Sequence, residues 1–266
     1  MINLEGFEAY LIEDELSENT RSSYLDTMKK FAERYGDFTR ENALAFKAWY
    51  MKTYKPKSVN NRICGLEKYG KFIGEPLHLK RVKEHKVACV ENVISAEQYE
   101  RLIRGLQQDN NIRFLVIVKL MAKTGGRISE VVRYRKCDVL RGHVDMKTKG
   151  KIRRIYFPKT LYSEISEYIS DLDDKEFLCK SRYGKQITAR GVSENLRRMA
   201  AKYNIPKEVM HPHSFRHFFA IEFLKRNNNI SLLADLLGHS GVNTTMIYLR
   251  MSQEEQKSAI DEAVNW

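Results

Sequence analysis

The stretch HPHSFRHFFAIEFLKRNNNISLLADLLGHSGVNTTMIY, residues 211–248, brings a phenol, a guanidinium and several imidazoles into one short run of chain. His213 and Arg216 are three residues apart, so on a helix they lie one turn from each other. His239 follows in a Leu-Gly-His-Ser turn, and Tyr248 comes nine residues later. A phenol is a nucleophile that forms covalent esters, a guanidinium is a permanently charged fork for two phosphate oxygens, and imidazoles move protons near neutral pH. This combination points to phosphoryl transfer.

Two residues far away in sequence suit the same chemistry. Arg127 follows Gly125 and Gly126 at the expected start of a helix, which places a second guanidinium beside a turn. Lys149 sits in the turn of MKTKGKIRR, from which an ammonium could reach into a groove, and Lys151 two residues on is the alternative. Taken singly, each has an ordinary explanation: a surface arginine, a solvated turn lysine, one tyrosine among 14. His211, His213, His217 and His239 also invite a zinc reading. No H-E-x-x-H, cysteine pair or carboxylate at ligand spacing accompanies them, so no metal site is expected, and His211 and His217 read as core or capping residues.

The elements that must position these groups follow from apolar spacing and breakers. Four helices are expected before about residue 76. The first is capped by Asn3 with Leu4, Phe7 and Leu11 on one face; the second carries Tyr24, Met28 and Phe31; the third opens at Thr39; the fourth opens at Pro56 and stops at Gly74. Residues 77–92 show no clear period and carry Lys80, Arg81, Lys83 and Lys86, which reads as a basic linker. A second domain, 93–266, starts with a capping box of Ser95 and Gln98. IRFLVIVKLMAKTG is apolar nearly all round and predicts a buried central helix. Short runs at Val139-Leu140, His143 to Met146 and Ile152 to Phe157 predict a small antiparallel sheet, and helices resume at Lys159 and Thr188, with a last short one after Tyr248.

Composition supplies the partner. Lys plus Arg number 46 against 34 Asp plus Glu, a net charge of +12, which attracts polyanions. Lys55 at the start of the fourth helix, Lys57, Arg62 and Lys68 on it, and Lys80, Arg81 and Lys83 in the linker form the basic face expected to grip DNA. No apolar run approaches the ~18 to 20 residues of a membrane span. The acidic, amphipathic start MINLEGFEAYLIEDEL is not a targeting signal, and Cys64, Cys89, Cys137 and Cys179 show no paired spacing, so a cytoplasmic, nucleoid-associated protein with reduced thiols is expected.

The boxes T-G-G-R-I-S-E (124–130), H-P-H-S-F-R-H (211–217), L-G-H-S (237–240) and T-T-M-I-Y (244–248) resemble, in order and spacing, those of the tyrosine recombinases, the phage-integrase and Xer-like site-specific DNA recombinases. The resemblance implies a mainly α fold with a small antiparallel β-sheet: a helical core-binding bundle (1–76) and a catalytic domain (93–266). It implies Tyr248 as nucleophile, Arg127 and Arg216 as the phosphate clamp, and His213 as the proton-transfer histidine. His239 corresponds to the histidine that hydrogen-bonds a phosphate oxygen, Lys149 to the lysine that protonates the leaving 5′ oxygen, and Glu130 to the acid that supports the first arginine, with His217 in support. Gly126 and Phe215 depart from the family, which often has Leu at both positions, and the shortened hairpin leaves Lys149 against Lys151 open.

The resemblance also implies strand cleavage and rejoining through a 3′-phosphotyrosine. The ester energy is kept, so no cofactor, ATP or metal is required. The partners implied are double-stranded DNA with a short inverted-repeat core site and a homotetramer assembled on two such sites. The early start of the helical bundle leaves no room for an additional arm-binding domain, which favours a simple recombinase. A type IB topoisomerase-like nicking and rejoining enzyme, or a DNA-binding accessory factor without cleavage, are the rival expectations.

Overall fold

The computed structural model describes residues 2–84, 92–148, 151–239, 241–249 and 260–264. The protein is mainly α with one two-stranded antiparallel sheet, and it divides into two units, Met1–Lys86 and Val87–Trp266.

The N-terminal unit holds α1 (Leu4–Glu13), α2 (Glu18–Arg34), α3 (Arg40–Thr53) and α4 (Pro56–Phe72). Side chains of Asn3, Ser17 and Thr39 accept from the first-turn N–H groups of α1, α2 and α3, each worth about 1 kcal/mol, and Pro56 begins α4 where no N–H is needed. Phe7, Met28, Phe31, Phe46, Ile63 and Leu66 are buried and form the core. The segment expected to be a linker begins as part of this unit. Leu77 and Leu79 are buried against the bundle, and Glu67 and Asn60 accept from the N–H groups of Leu79 and Val82 at 3.0 and 2.8 Å. Leu77 and Leu79 point the same way two residues apart, as extended backbone requires, and the absence of a helical period does not mark a tether. Residues 85–91 lie outside the described residues.

The second unit is arranged around α6 (Ile112–Thr124), buried on all sides as its unbroken apolar run predicts, with α5 (Ala96–Gln108), α9 (Lys159–Ser170) and α11 (Pro212–Arg226) packed on it. Ser95 and Gln98 form the expected capping box. Two short helices, α7 (Ile128–Val131) and α8 (Lys136–Arg141), lead to β1 (His143–Thr148) and β2 (Lys151–Tyr156), paired from His143↔Tyr156 to Thr148↔Lys151. Val139 and Leu140, expected in a strand, lie in α8: Asp138 takes the Arg135 N–H at 2.8 Å at its start and Gly142 closes it. α10 (Ala189–Lys202) precedes α11, and α12 (Ile230–Leu237) is followed by two 3₁₀ turns, Val242–Thr244 and Met246–Leu249. Of the expected tail helix, residues 260–263 are helical and 250–259 lie outside the described residues. No helix of the described residues is long and apolar enough to cross a membrane.

Candidate phosphoryl-transfer site

Three chain segments converge in the second unit: the α6–α7 turn, α11, and the end of α12 with the turns after it. Arg127 caps α7 and is held twice by Glu130, whose carboxylate accepts from the Arg127 backbone N–H at 2.7 Å and from Nη1 at 3.2 Å. Its Nη2 donates to the Gly238 carbonyl at 3.2 Å, and the side chain stays one-third exposed. Gly126 is required beside it: a Cβ there would stand 2.1 Å from the phenol oxygen of buried Tyr134. Phe215 is wholly buried behind the site.

Arg216 projects from the first turns of α11 and is almost entirely buried. It donates to the carbonyls of Gly125 at 2.7 Å and Leu237 at 2.6 Å, so a single guanidinium ties the α6–α7 turn to the end of α12. Burial and the charges of Arg153 and Arg127 push it down to about 10, which leaves it charged at neutral pH.

Gly238 ends α12 with φ of +62°, and this left-handed turn aims His239 back at the arginines. His239 Nε2 lies 3.2 Å from Arg216 Nη2, and Nδ1 lies 2.8 Å from Thr245 Oγ1. A guanidinium only donates, so Nε2 accepts and the ring proton sits on Nδ1, donated to the threonine. Burial, with Arg216, Arg127 and Arg153 nearby, lowers His239 to about 4.

Tyr248, on the second 3₁₀ turn, packs its ring on the apolar cluster of Ala220, Leu224, Leu233 and Leu237. Its hydroxyl lies 2.7 Å from His217 Nδ1. Burial raises the phenol above its ordinary value while Arg216 opposes the rise, so the protonated phenol donates and His217 Nδ1 accepts. His217 is lowered to about 4 by burial and by its cationic and histidine neighbours. His213, one turn earlier on α11, is exposed, with its ring centroid 6.3 Å from that of His217. His211 caps α11 by accepting from the Ser214 N–H at 3.1 Å, a capping role as expected.

Two placements were not legible in the sequence. His217, expected in a supporting role, touches the phenol directly. Arg153, on β2, is buried beside Glu130, and the signal for it was strand alternation: it shares a face with buried Ile155 while Ile152, Arg154 and Tyr156 face outward. Lys149 lies outside the described residues, so the hairpin lysine is not placed. In the N-terminal unit Lys55, Lys57, Lys80, Arg81 and Lys83 are exposed. Arg62 and Lys68 are drawn inward, Arg62 to Asp26 at 2.7 Å and to the Tyr50 hydroxyl, Lys68 to Asp14 at 2.6 Å, and Arg81 pairs with Glu67 at 2.6 Å, so these three charges are engaged within the unit. Among the described residues no group of three or more His, Cys, Asp and Glu side chains is arranged to hold a metal ion.

The low values of His217 and His239 set a pH dependence. An unfolded chain's histidines take up protons near 6.5, whereas these two resist until about 4. Within that window the unfolded state binds more protons, so stability falls as pH falls through it. Thermal melts are expected to shift downward from about pH 7 to about pH 5, and less so in His217→Asn, where one such group is gone. An equal slope in the two proteins would contradict the buried, neutral state of His217.

The arrangement suits phosphoryl transfer: guanidinium groups stand beside a buried carboxylate, with a phenol and two imidazoles near them, on a helical scaffold. Residues 92–255 match the phage integrase family. The chain is 32% identical over 270 residues to tyrosine recombinase XerA of Thermococcus kodakarensis, covering 98% of this chain and 94% of that protein, and 30% identical to that of Pyrococcus furiosus, covering 98% and 93%. Its fold resembles that of one chain in the structure of a lambda integrase tetramer bound to a Holliday junction, with a TM-score of 0.73 at 16% identity over 92% of this chain and 75% of that one. The chain belongs to the phage integrase family of tyrosine recombinases.

Proposed function

We propose that this protein is a site-specific DNA recombinase that cuts and rejoins strands through a covalent 3′-phosphotyrosine at Tyr248. The observation that carries this reading is the charge count of the site. Among the described residues Arg127 and Arg153 both pair with the carboxylate of Glu130, Arg216 shares the Leu237 carbonyl with Arg153, and the Tyr248 phenol meets His217, the next residue along α11 from Arg216. Such a surplus of positive charge suits a bound phosphate.

In the proposed reaction the Tyr248 oxygen attacks the scissile phosphorus, the bond from phosphorus to the 5′ oxygen breaks, and the phosphate stays on the tyrosine through the 3′ strand. His217 Nδ1 already accepts from the phenol and is placed to take its proton, with His213 beside it. Arg127 and Arg216 hold the non-bridging oxygens as charge builds on them; preorganised donors of this kind contribute roughly 3 to 4 kcal/mol each. His239 assists once the phosphate's negative charge favours its protonation and frees Nε2 to donate. The departing 5′ oxygen takes a proton from the hairpin lysine, Lys149 by resemblance or Lys151. Attack by a 5′ hydroxyl of another strand reverses the step, so neither ATP nor a metal enters the scheme.

The partner in this reading is double-stranded DNA with a short inverted-repeat core site, bound by a homotetramer across two sites in the cytoplasm. The likeness to a tetramer on a Holliday junction supports it. Lys55, Lys57, Lys80 and Lys83 of the N-terminal bundle would meet the backbone. A duplex selected from a random-sequence pool by the protein itself serves as substrate. A plasmid carrying two copies is expected to be inverted or divided according to their orientation. Relaxation of supercoils without regard to that sequence would instead indicate a topoisomerase-like enzyme, and binding with no strand breakage an accessory factor.

A further inference from the structure

β2 places a guanidinium where its register calls for an apolar side chain. Arg153 is 8% exposed and shares the inward face with Ile155 and Phe157. Burying that charge is costly unless neighbours compensate for it. Its Nη2 lies 3.4 Å from Glu130 Oε2, and its Nη1 donates to the Leu237 carbonyl, the acceptor that also takes Arg216 Nη2. Nε and Nη2 are buried with no hydrogen-bond acceptor. The left-handed Gly238 turn rests on the arginine's stem: a Cβ on Gly238 would stand 2.4 Å from Arg153 Cδ. Arg153 is buried to much the same degree as Arg216, and what sets it apart is its contacts: it touches the partners of both clamp arginines and the turn that aims His239.

We infer that Arg153 is a positioning residue that braces the phosphate clamp: by pairing with Glu130 it fixes the carboxylate that holds Arg127, and by sharing the Leu237 carbonyl it fixes the seat of Arg216. This role rests on the recombinase reading of the site. A buried ion pair that only stabilised the fold would have no reason to join these acceptors. The brace also accounts for the imperfect satisfaction of Arg153, whose guanidinium is placed by two distant segments at once and not by the best hydrogen-bond geometry for itself.

The test compares wild type, Arg153→Met, Arg153→Lys, Glu130→Gln and the double variant Arg153→Met/Glu130→Gln. Each full-length protein is checked for folding and for binding to the selected duplex, then timed in single-turnover formation of the covalent complex. Two nicked duplexes are used, one with the natural phosphodiester at the cleavage position and one with a neutral methylphosphonate there. Arg153→Met is expected to bind within about threefold of wild type and to cleave the phosphodiester roughly 100-fold more slowly, the scale of a misplaced catalytic group. The loss is expected to shrink on the methylphosphonate, which carries less charge for the clamp to hold. The double variant is expected to lose little more than the worse single one, because both changes act on the same clamp.

A folded Arg153→Met protein that cleaves at the wild-type rate, loses equally on both duplexes, or adds its loss fully to that of Glu130→Gln would overturn the brace. If the methionine variant does not fold, Arg153→Lys carries the test: it keeps the charge but cannot span Glu130 and Leu237 as a fork, so slower cleavage at unchanged binding is expected, and a wild-type rate overturns the inference. No covalent complex from wild type would overturn the recombinase reading itself, which keeps the two failures distinct.

Discussion

Tyr248→Phe is expected to bind the selected duplex like wild type and to form no covalent complex with it at any time point. The substitution removes one oxygen from a ring that packs against Ala220, Leu224, Leu233 and Leu237, and phenylalanine fills that space. The structural loss is the hydrogen bond to His217, worth about 1 kcal/mol, far too little to unfold the unit. The chemical loss is complete, because the phenylalanine ring carries no nucleophile to take the phosphate. A denaturing gel after incubation with a nicked duplex reads the outcome, and an undiminished shifted band from the phenylalanine variant would remove Tyr248 from the reaction.

Arg216→Ala is the second large effect. The variant loses the deeper guanidinium of the clamp and the link between the Gly125 and Leu237 carbonyls. Covalent-complex formation is expected to fall by at least about 100- to 1,000-fold. Binding is expected to hold, because affinity for duplex DNA comes mostly from many backbone contacts spread over the protein. Some stability goes as well, on the order of 1 to 3 kcal/mol, since the Gly125 carbonyl is left buried without its donor. Rates are therefore compared at a temperature where both proteins are folded. Cleavage at the wild-type rate would mean that Arg216 is only a structural tie.

The helices were legible because their signals are local. Asn3, Thr39, Pro56 and Ser95 cap or open the elements they were expected to, and the apolar run from Ile112 is buried as its composition requires. Val139 and Leu140 misled because two apolar residues fit a strand as well as a helix, and the deciding contact, Asp138 on the Arg135 N–H, is a capping interaction. The extended segment after Gly74 was missed for the opposite reason: its burial depends on Glu67 and Asn60, more than ten residues away.

For the site, residue types and spacing pointed to Arg127, Arg216, His239 and Tyr248, and contacts link these segments. What spacing does not encode is which imidazole meets the phenol. His213 and His217 are both on α11 near its start, and only the path of the chain from His239 through Thr245 to Met246–Leu249 brings the Tyr248 hydroxyl to His217. Arg153 was hidden for a related reason. Two adjacent arginines in a strand look alike in sequence, yet Arg154 pairs with exposed Asp145 and Arg153 with buried Glu130.

The most direct measurement is the chemical identity of the trapped link. Wild-type protein is incubated with a nicked duplex whose short downstream fragment, carrying the new 5′ hydroxyl, diffuses away after cleavage, and the covalent complex is digested with protease and nuclease and analysed by mass spectrometry. The expected result is a nucleotide joined through its 3′ phosphate to the tyrosine of the peptide containing Tyr248. A nucleotide on any other side chain, or one joined through a 5′ phosphate, would contradict the account.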